Sequence, residues 1–243
     1  MQFLLITDLD NTLVGDRCAT IAINQKLLLL RRSFYLIYAT GRSVTSARQL
    51  IADEPLLEPD YLVTGVGTEI YHDHIQDHTW AERLAQNWQR DSIDALAKSL
   101  RQLIPQPSSE QNPWKLSYYI NSTDRMAVIA NLRQKISIEG LAAQVIFSSD
   151  RDLDIVPSNS GKGEAVSYLR QKLQIAPQAT LVCGDSGNDI SMFQQRTLGV
   201  IVSNSQPELI DWHKSNQCVD RYLAKSSYAW GILEALAHFK LIG

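Results

Sequence analysis

Two aspartates close the first apolar run of the chain, "LLITDLDNTLVG" (residues 4–15). If the strand continued through them, Asp8, Asp10 and Thr12 would share one face, since side chains at i, i+2 and i+4 point the same way. Carboxylates held that close repel, and the arrangement costs free energy unless a cation or a proton sits between them. Three further stretches carry similar chemistry: "TGR" (Thr40, Gly41, Arg42), "GKG" (Gly161, Lys162, Gly163) and "GDSGND" (Gly184 to Asp189). The inventory is Asp8, Asp10, Asp185, Asp189, one lysine, a hydroxyl and several glycines, with no histidine or cysteine nucleophile. Clustered carboxylates suit a hard cation such as Mg²⁺, which takes oxygen ligands and keeps several waters. Lysine, a threonine hydroxyl and backbone amides at helix N-termini suit a phosphate. Together they make phosphoryl transfer the natural chemistry.

Each stretch alone has a plainer reading. Asp8 and Asp10 could simply end a strand in a turn. Lys162 could be a solvated helix residue, and Asp189 a helix-start residue favoured by the dipole. Cys183 reads as a buried strand residue. His72, His74 and His78 in "YHDHIQDHTW" read as polar loop residues, because no matching carboxylate or cysteine motif follows. The functional reading rests on all four stretches falling at element ends.

Those elements alternate in the first and last thirds of the chain. Strands are expected at "QFLLIT", "FYLIYAT" and "DYLVTG", with helices at "INQKLLLLRRS" and "SVTSARQLIAD", the latter capped by Ser43. After "GKGEAVSYLRQKLQ" (helix) come "TLVCGD" (strand), "NDISMFQQ" (helix), "GVIVSN" (strand), "PELIDWH" (helix) and a last helix in "SSYAWGILEALAHF". Short, nearly continuous apolar strands between helices imply a parallel sheet covered on both faces. The fold class is therefore α/β, a doubly wound, Rossmann-like core with its site at the carboxyl ends of the strands. The middle breaks the rhythm. A long helical pattern, "WAERLAQNWQRDSIDALAKSLRQL", leads through "IPQPSSEQNP" to a strand "WKLSYYI", a helix "STDRMAVIANLRQKI" and strands "AAQVIFSS" and "DLDIVPS", joined by a turn at Asp150–Arg151. This reads as an α+β cap, residues 79–158, inserted between core segments 1–78 and 159–243.

Composition excludes several classes. A net charge of −3 and 20% charged residues give no sign of a nucleic-acid surface. No run approaches the ~18 apolar residues of a membrane span. The N-terminal strand lacks a basic segment and a cleavage site, so no secretory signal is read. Three unpatterned cysteines suit a reducing cytoplasm. The expected state is a cytoplasmic monomer without nucleic-acid or membrane partners.

In "QNPWKLSYYIN" the alternation separates Trp114, Leu116, Tyr118 and Ile120 from Lys115, Ser117 and Tyr119. If helices cover the first set, the second faces the cleft and offers a cation, a hydroxyl and an aromatic edge. Gln111 and Asn112 add amides just before the strand. Such groups suit a polyhydroxylated ligand better than an acyl chain or a nucleobase.

The four motifs, in this order and with this insert, resemble the haloacid dehalogenase superfamily of phosphatases over the whole chain. "QNPWKLSYY", "CGDSGNDISMF", "GTEIYH" and "VIFSSDRDLDIVP" are similar to the sucrose-phosphatase family of cyanobacteria. The resemblance implies Mg²⁺-dependent hydrolysis of sucrose 6-phosphate, with a sucrose-phosphate synthase as the associated enzyme. It implies Asp8 as nucleophile and Asp10 as general acid and base, with Thr40, Gly41 and Lys162 on the phosphate. Mg²⁺ would be held by Asp8, the Asp10 carbonyl and Asp185, with Asn188 and Asp189 orienting those ligands from behind. Arg42, Glu69, Gln111, Asn112, Lys115 and Ser117 are the candidate substrate contacts; for Glu69 a strand-end carboxylate is an equal alternative. Tyr119 departs from the pattern, which has histidine there. Two rival readings stand beside this one. The cap could serve another glycosyl phosphate, mannosyl-phosphoglycerate or trehalose phosphate, or the chain could be a non-catalytic binding partner of a sucrose-synthesising enzyme.

Overall fold

The computed structural model describes residues 2–242. The core begins with β1 (Phe3–Thr7), α1 (Arg17–Leu29), β2 (Phe34–Ala39), α2 (Val44–Asp53) and β3 (Tyr61–Thr64). A hairpin of β4 (Glu69–His72) and β5 (Ile75–Gln76) follows, then α3 (His78–Ala85). The insert contributes α4 (Arg90–Lys98), β6 (Leu103–Pro105), β7 (Leu116–Ile120), α5 (Arg125–Ile138), β8 (Ala143–Ser148) and β9 (Asp152–Pro157). The chain returns to the core with α6 (Lys162–Lys172), β10 (Thr180–Gly184), α7 (Ile190–Phe193), β11 (Leu198–Ile201), α8 (Pro207–Ser215), β12 (Arg221–Leu223) and α9 (Tyr228–His238).

The large sheet has the order β12-β11-β10-β1-β2-β3-β4-β5. From β12 to β3 the pairs are parallel, whereas β4 and β5 extend the edge antiparallel. Every residue of β1, "FLLIT", is buried, as a strand covered on both faces requires. One face carries α1, α2 and α9 through Ile23, Leu27, Ala47, Ile232 and Leu236. The other carries α3, α6, α7 and α8 through Trp80, Leu84, Val166, Leu169, Met192 and Leu209. The strand order reverses between β1 and β10, which opens a crevice at their carboxyl ends.

The insert forms its own antiparallel sheet, β6-β7-β9-β8. One face of this sheet is packed by α4 and α5, where Ile93, Leu96, Ile129 and Leu132 meet Leu116, Tyr118, Leu153 and Ile155. The other face looks toward the crevice. Among the described residues, no helix is long and apolar enough to cross a membrane.

Several elements differ from the sequence expectation. The long helical pattern divides into α3 and α4 around Asn87, whose φ of +63° leaves the helical region. Only its last residue, Leu103, enters β6, and α3 packs beneath the large sheet rather than in the insert. Helix α1 begins at Arg17, six residues earlier than its apolar pattern, because the Asp16 carboxylate accepts from the Cys18 and Ala19 N–H groups. Ser43 does precede α2, but its side chain makes no capping bond. The β8–β9 turn centres on Ser149 and Asp150 (φ +54° and +58°), one residue earlier than expected.

Candidate active site

Strand β1 ends before the two aspartates act as a pair. The Asp8 N–H takes the last ladder bond, 3.0 Å to the Cys183 carbonyl, and the N–H groups of Thr12, Leu13 and Val14 then fold back onto Leu9. Asn11, with φ +58°, makes that reversal. Asp8, Asp10 and Thr12 therefore do not share one strand face: a loop distributes them. The Asp8 carboxylate turns inward and is buried. Asp10 points to Arg42, whose Nε and Nη2 each donate to one Asp10 oxygen at 2.7 Å. This two-pronged pair offsets the Asp10 charge without a shared cation, and the hydrogen bond to Asp10 raises the Arg42 pKa.

Lys162 stands at the start of α6, fully buried, with Nζ 2.8 Å from Asp8 Oδ1 and 2.6 Å from Asp189 Oδ1. Burial would lower its pKa, but the Asp189 and Asp8 carboxylates outweigh that and raise it, so the ammonium stays charged. Gly67 fixes where this lysine starts. Its φ is +93°, and a Cβ there would lie 2.2 Å from the Gly161 carbonyl carbon and 2.5 Å from the Lys162 nitrogen. Asp189 is held at both oxygens. Oδ1 takes Lys162, and Oδ2 accepts from the N–H groups of Asp185 (3.0 Å) and Ser186 (3.1 Å). Asp185 Oδ1 accepts from the Thr12 hydroxyl at 3.0 Å. The third polar residue of "DLDNT" thus serves Asp185, an interaction across the sheet that spacing alone does not disclose.

One oxygen from each of Asp8, Asp185 and Asp189 lies within 4.8 Å of the others, all three residues buried. Burial pushes the Asp8 carboxyl up to about 7, against the lowering effect of Lys162. It pushes Asp185 up to about 9, and the Asp8 and Asp189 charges add to the rise. Three carboxylates facing one ammonium leave an excess of negative charge in a dry site, and this donor set fits a hard divalent cation. With Asp189 committed to Lys162 and the loop amides, the oxygens free to hold it belong to Asp8 and Asp185. The Asp10 carboxylate is engaged by Arg42, which leaves its backbone carbonyl.

The crevice and the cap enclose a cleft of about 350 Å³, within the small-molecule range. Asp8, Asp10, Gly41, Arg42, Asp185 and Asn188 line its floor. Thr40 is buried just behind, where its Oγ1 accepts from the Arg42 N–H at 3.1 Å. From the cap, Lys115 reaches in, with Nζ 3.4 Å from the Gly41 carbonyl and 3.6 Å from Asp154 Oδ1. Ser117 is tied to Asp154 at 2.5 Å. Four expected contacts are not brought to the cleft, Ser117 being fully buried against Asp154 and the Glu110 carbonyl. Glu69 accepts from Thr64 Oγ1 at 2.8 Å. Gln111 spends its amide on the backbone of Gln106 and Ser117. Asn112 donates to Thr68 Oγ1 at 2.9 Å, joining cap to core. Tyr119 lies under the Arg151 guanidinium, 4.2 Å from its ring centre.

The sequence reading missed Gln106, Glu110, Ser148, Ser149, Asp152 and Asp154, which line the cap side of the cleft. A signal for two of them existed: Asp152 and Asp154 alternate along β9, and Ser117 pairs directly with Asp154 in the register.

The family model for sucrose-6F-phosphate phosphohydrolase matches residues 1–240. The solved sucrose-phosphatase of Synechocystis sp. PCC6803, in complex with sucrose and phosphate, is 49% identical with a TM-score of 0.96, and the match covers 98% of each chain. A probable sucrose-phosphatase 2 of Arabidopsis thaliana is 36% identical over 99% of this chain and 60% of its own length. The chain thus spans about three fifths of that plant relative. Mannosylfructose-phosphate phosphatase of Agrobacterium fabrum is 31% identical over 98% of this chain and 97% of its own.

Proposed function

The chain belongs to the sucrose-6F-phosphate phosphohydrolase family, and from that premise we propose that it hydrolyses sucrose 6-phosphate to sucrose and inorganic phosphate. The observation that carries this reading is the buried Asp8 carboxylate, held 2.8 Å from the Lys162 ammonium at the floor of a cleft roofed by polar cap residues. In the proposed reaction an Asp8 oxygen attacks phosphorus. A bond from Asp8 to phosphorus forms as the bond from phosphorus to the sugar oxygen breaks. Lys162, the Thr40 hydroxyl and the Gly41 N–H stabilise the phosphoryl oxygens, the Thr40 and Arg42 N–H groups being spent on the Val63 carbonyl and Thr40 Oγ1. Mg²⁺, when bound at Asp8 and Asp185, supplies positive charge beside the transferring group. Asp10 gives a proton to the leaving sugar oxygen and then takes one from the water that releases phosphate. Because Arg42 engages both Asp10 oxygens, proton transfer at Asp10 requires the pair to open first.

In this reading the protein is a cytoplasmic monomer that takes the product of a sucrose-phosphate synthase. Phosphate release from sucrose 6-phosphate, measured beside mannosylfructose, trehalose and mannosyl-phosphoglycerate phosphates, tests the substrate. Preference for mannosylfructose phosphate would shift the assignment toward the Agrobacterium relative's activity. No release from any sugar phosphate would favour the non-catalytic binding partner.

The cap supplies a second test. Phosphate and metal are common to every candidate, so discrimination must come from groups that touch the sugar. Leaving a buried polar partner unpaired typically costs about 1–3 kcal/mol. Lys115→Ala is therefore expected to lower kcat/KM for sucrose 6-phosphate by roughly one to two powers of ten. The loss on p-nitrophenyl phosphate, which does not reach the cap, should be far smaller. Leu116→Ala, on the opposite face, opens a cavity in the cap core and should instead cost about 2–5 kcal/mol of stability in denaturation. Equal losses on both esters with Lys115→Ala would place the sugar elsewhere.

A further inference from the structure

Glu208 lies in the first turn of α8, outside the cleft lining. Its Oε1 accepts two backbone N–H groups from different domains. One is Ser149 at 3.3 Å, in the tip of the cap hairpin between β8 and β9. The other is Gly187 at 3.3 Å, in the core loop that carries Asp185 and Asp189. The hairpin backbone also rests directly on that loop. A Cβ added at Gly187 would sit 2.5 Å from the Phe147 carbonyl oxygen and 3.1 Å from Glu208 Cγ. The loop and the start of α8 are tied to each other, because the Gln206 N–H donates to the Asp185 carbonyl at 2.7 Å.

We infer that Glu208 is a latch that holds the cap hairpin against the acidic loop, so that one carboxylate sets closure of the cap on that side of the cleft. Topology supports this. The cap meets the core on two sides of Asp8. Over the ends of β2 and β3 the contacts are Lys115 to the Gly41 carbonyl and Asn112 to Thr68. Over the ends of β10 and β11 the side chain hydrogen-bonded to both cap and core, among the described residues, is Glu208. Ser148 and Ser149 line the cleft beside Ser186 and Asn188, so releasing the latch would open that wall to water. A substrate that needs the roof would suffer, and one that uses only the floor would not. The inference rests on the phosphatase reading for its kinetic consequence, but its structural content does not.

Hydrogen exchange on the substrate-free protein separates the two. Losing the acceptor of an ordinary backbone hydrogen bond is worth up to about a tenfold effect. Glu208→Ala should therefore speed exchange at the Ser149 and Gly187 amides by roughly tenfold. It should lower kcat/KM for sucrose 6-phosphate by a similar factor, mainly through KM, with a much smaller change on p-nitrophenyl phosphate. Glu208→Gln keeps a carbonyl acceptor and should recover most of both effects. Gly187→Ala wedges the hairpin off the loop and should speed exchange at the Ser149 amide with Glu208 intact, which decides the matter if Glu208→Ala folds poorly. Unchanged exchange at both amides in Glu208→Ala overturns the latch whatever the substrate proves to be. An equal loss on both esters, or no recovery with Glu208→Gln, would reduce Glu208 to a support of the acidic loop and also overturn it. Normal exchange effects without activity on any sugar phosphate would retain the latch and remove the phosphatase reading.

Discussion

Asp8→Asn is expected to abolish phosphate release from sucrose 6-phosphate while the protein stays folded. The amide retains the shape of the carboxylate, and its oxygen can still accept from Lys162, which lies 2.8 Å from Asp8 and also keeps Asp189. What disappears is the carboxylate oxygen proposed to attack phosphorus. Removing the nucleophile of an enzyme that works through a covalent intermediate typically costs on the order of a millionfold in turnover. The substitution also takes one negative charge out of a buried cluster whose members raise each other's pKa. Thermal stability without metal should therefore hold steady or rise. Phosphate release and melting temperature, measured on the same preparation, check both halves. Substantial turnover in clean Asp8→Asn protein would take the nucleophile's role from this residue.

Chelation should have the next largest effect. Activity is expected to vanish in EDTA and return with Mg²⁺, and Ca²⁺ should substitute poorly, because it is larger and accepts more ligands. Asp185→Ala should produce the same loss at ordinary Mg²⁺ concentrations. The raised carboxyl pKa values add a pH dependence whose sign can be worked out. Without metal, folded Asp8 and Asp185 titrate near 7 and 9, against 3.8 for ordinary carboxyls. Between those limits the unfolded chain has lost protons that the folded chain keeps. Raising the pH from about 4 toward 9 therefore favours unfolding of the metal-free protein. A cation binds the deprotonated carboxylates, so the rise in melting temperature with Mg²⁺ should be larger at pH 8.5 than at pH 5. Full activity in chelator, or a Mg²⁺ effect that shrinks with pH, would contradict this account of the cluster.

The parts of the molecule legible in the sequence are those fixed by local pattern. β1, β2, β3, β10 and β11 are short, buried, apolar runs, and the polar residues at their ends fall at the crevice because parallel strands all point that way. The cap face was legible only in part: alternation in "WKLSYYI" places Leu116, Tyr118 and Ile120 in the cap core and Lys115 at the cleft, but Trp114 packs against the core domain, and Ser117 and Tyr119 do not line the cleft. What escaped notice depends on contacts distant in sequence or on unusual backbone. The β4–β5 hairpin turns through Asp73 and His74, both with positive φ, without the glycine that normally marks such a turn. Asn87 breaks a helical pattern that polarity alone continues through. Gln111 and Asn112 look like free amides in sequence, yet the backbone of the cap and the Thr68 hydroxyl claim them. Glu208 reads as an ordinary first-turn acid, and only the approach of the cap hairpin gives it a second partner.

The crowding of Asp8, Asp185 and Asp189 around a single lysine has a practical side. Like charges confined in a dry pocket are a standing mechanical load on the fold, and the easiest ways to relieve it destroy the site. Asp185→Asn or Asp8→Asn unloads the pocket without disturbing its shape. Heat selection of a mutant library purified in chelator would therefore enrich for inert proteins, and the hardiest survivors would be those that no longer need a cation. The same library challenged with Mg²⁺ present should reward the opposite change, because there the crowded carboxylates are what the proposed ion would grip. The buffer would thus decide whether durability and turnover are selected together or against each other.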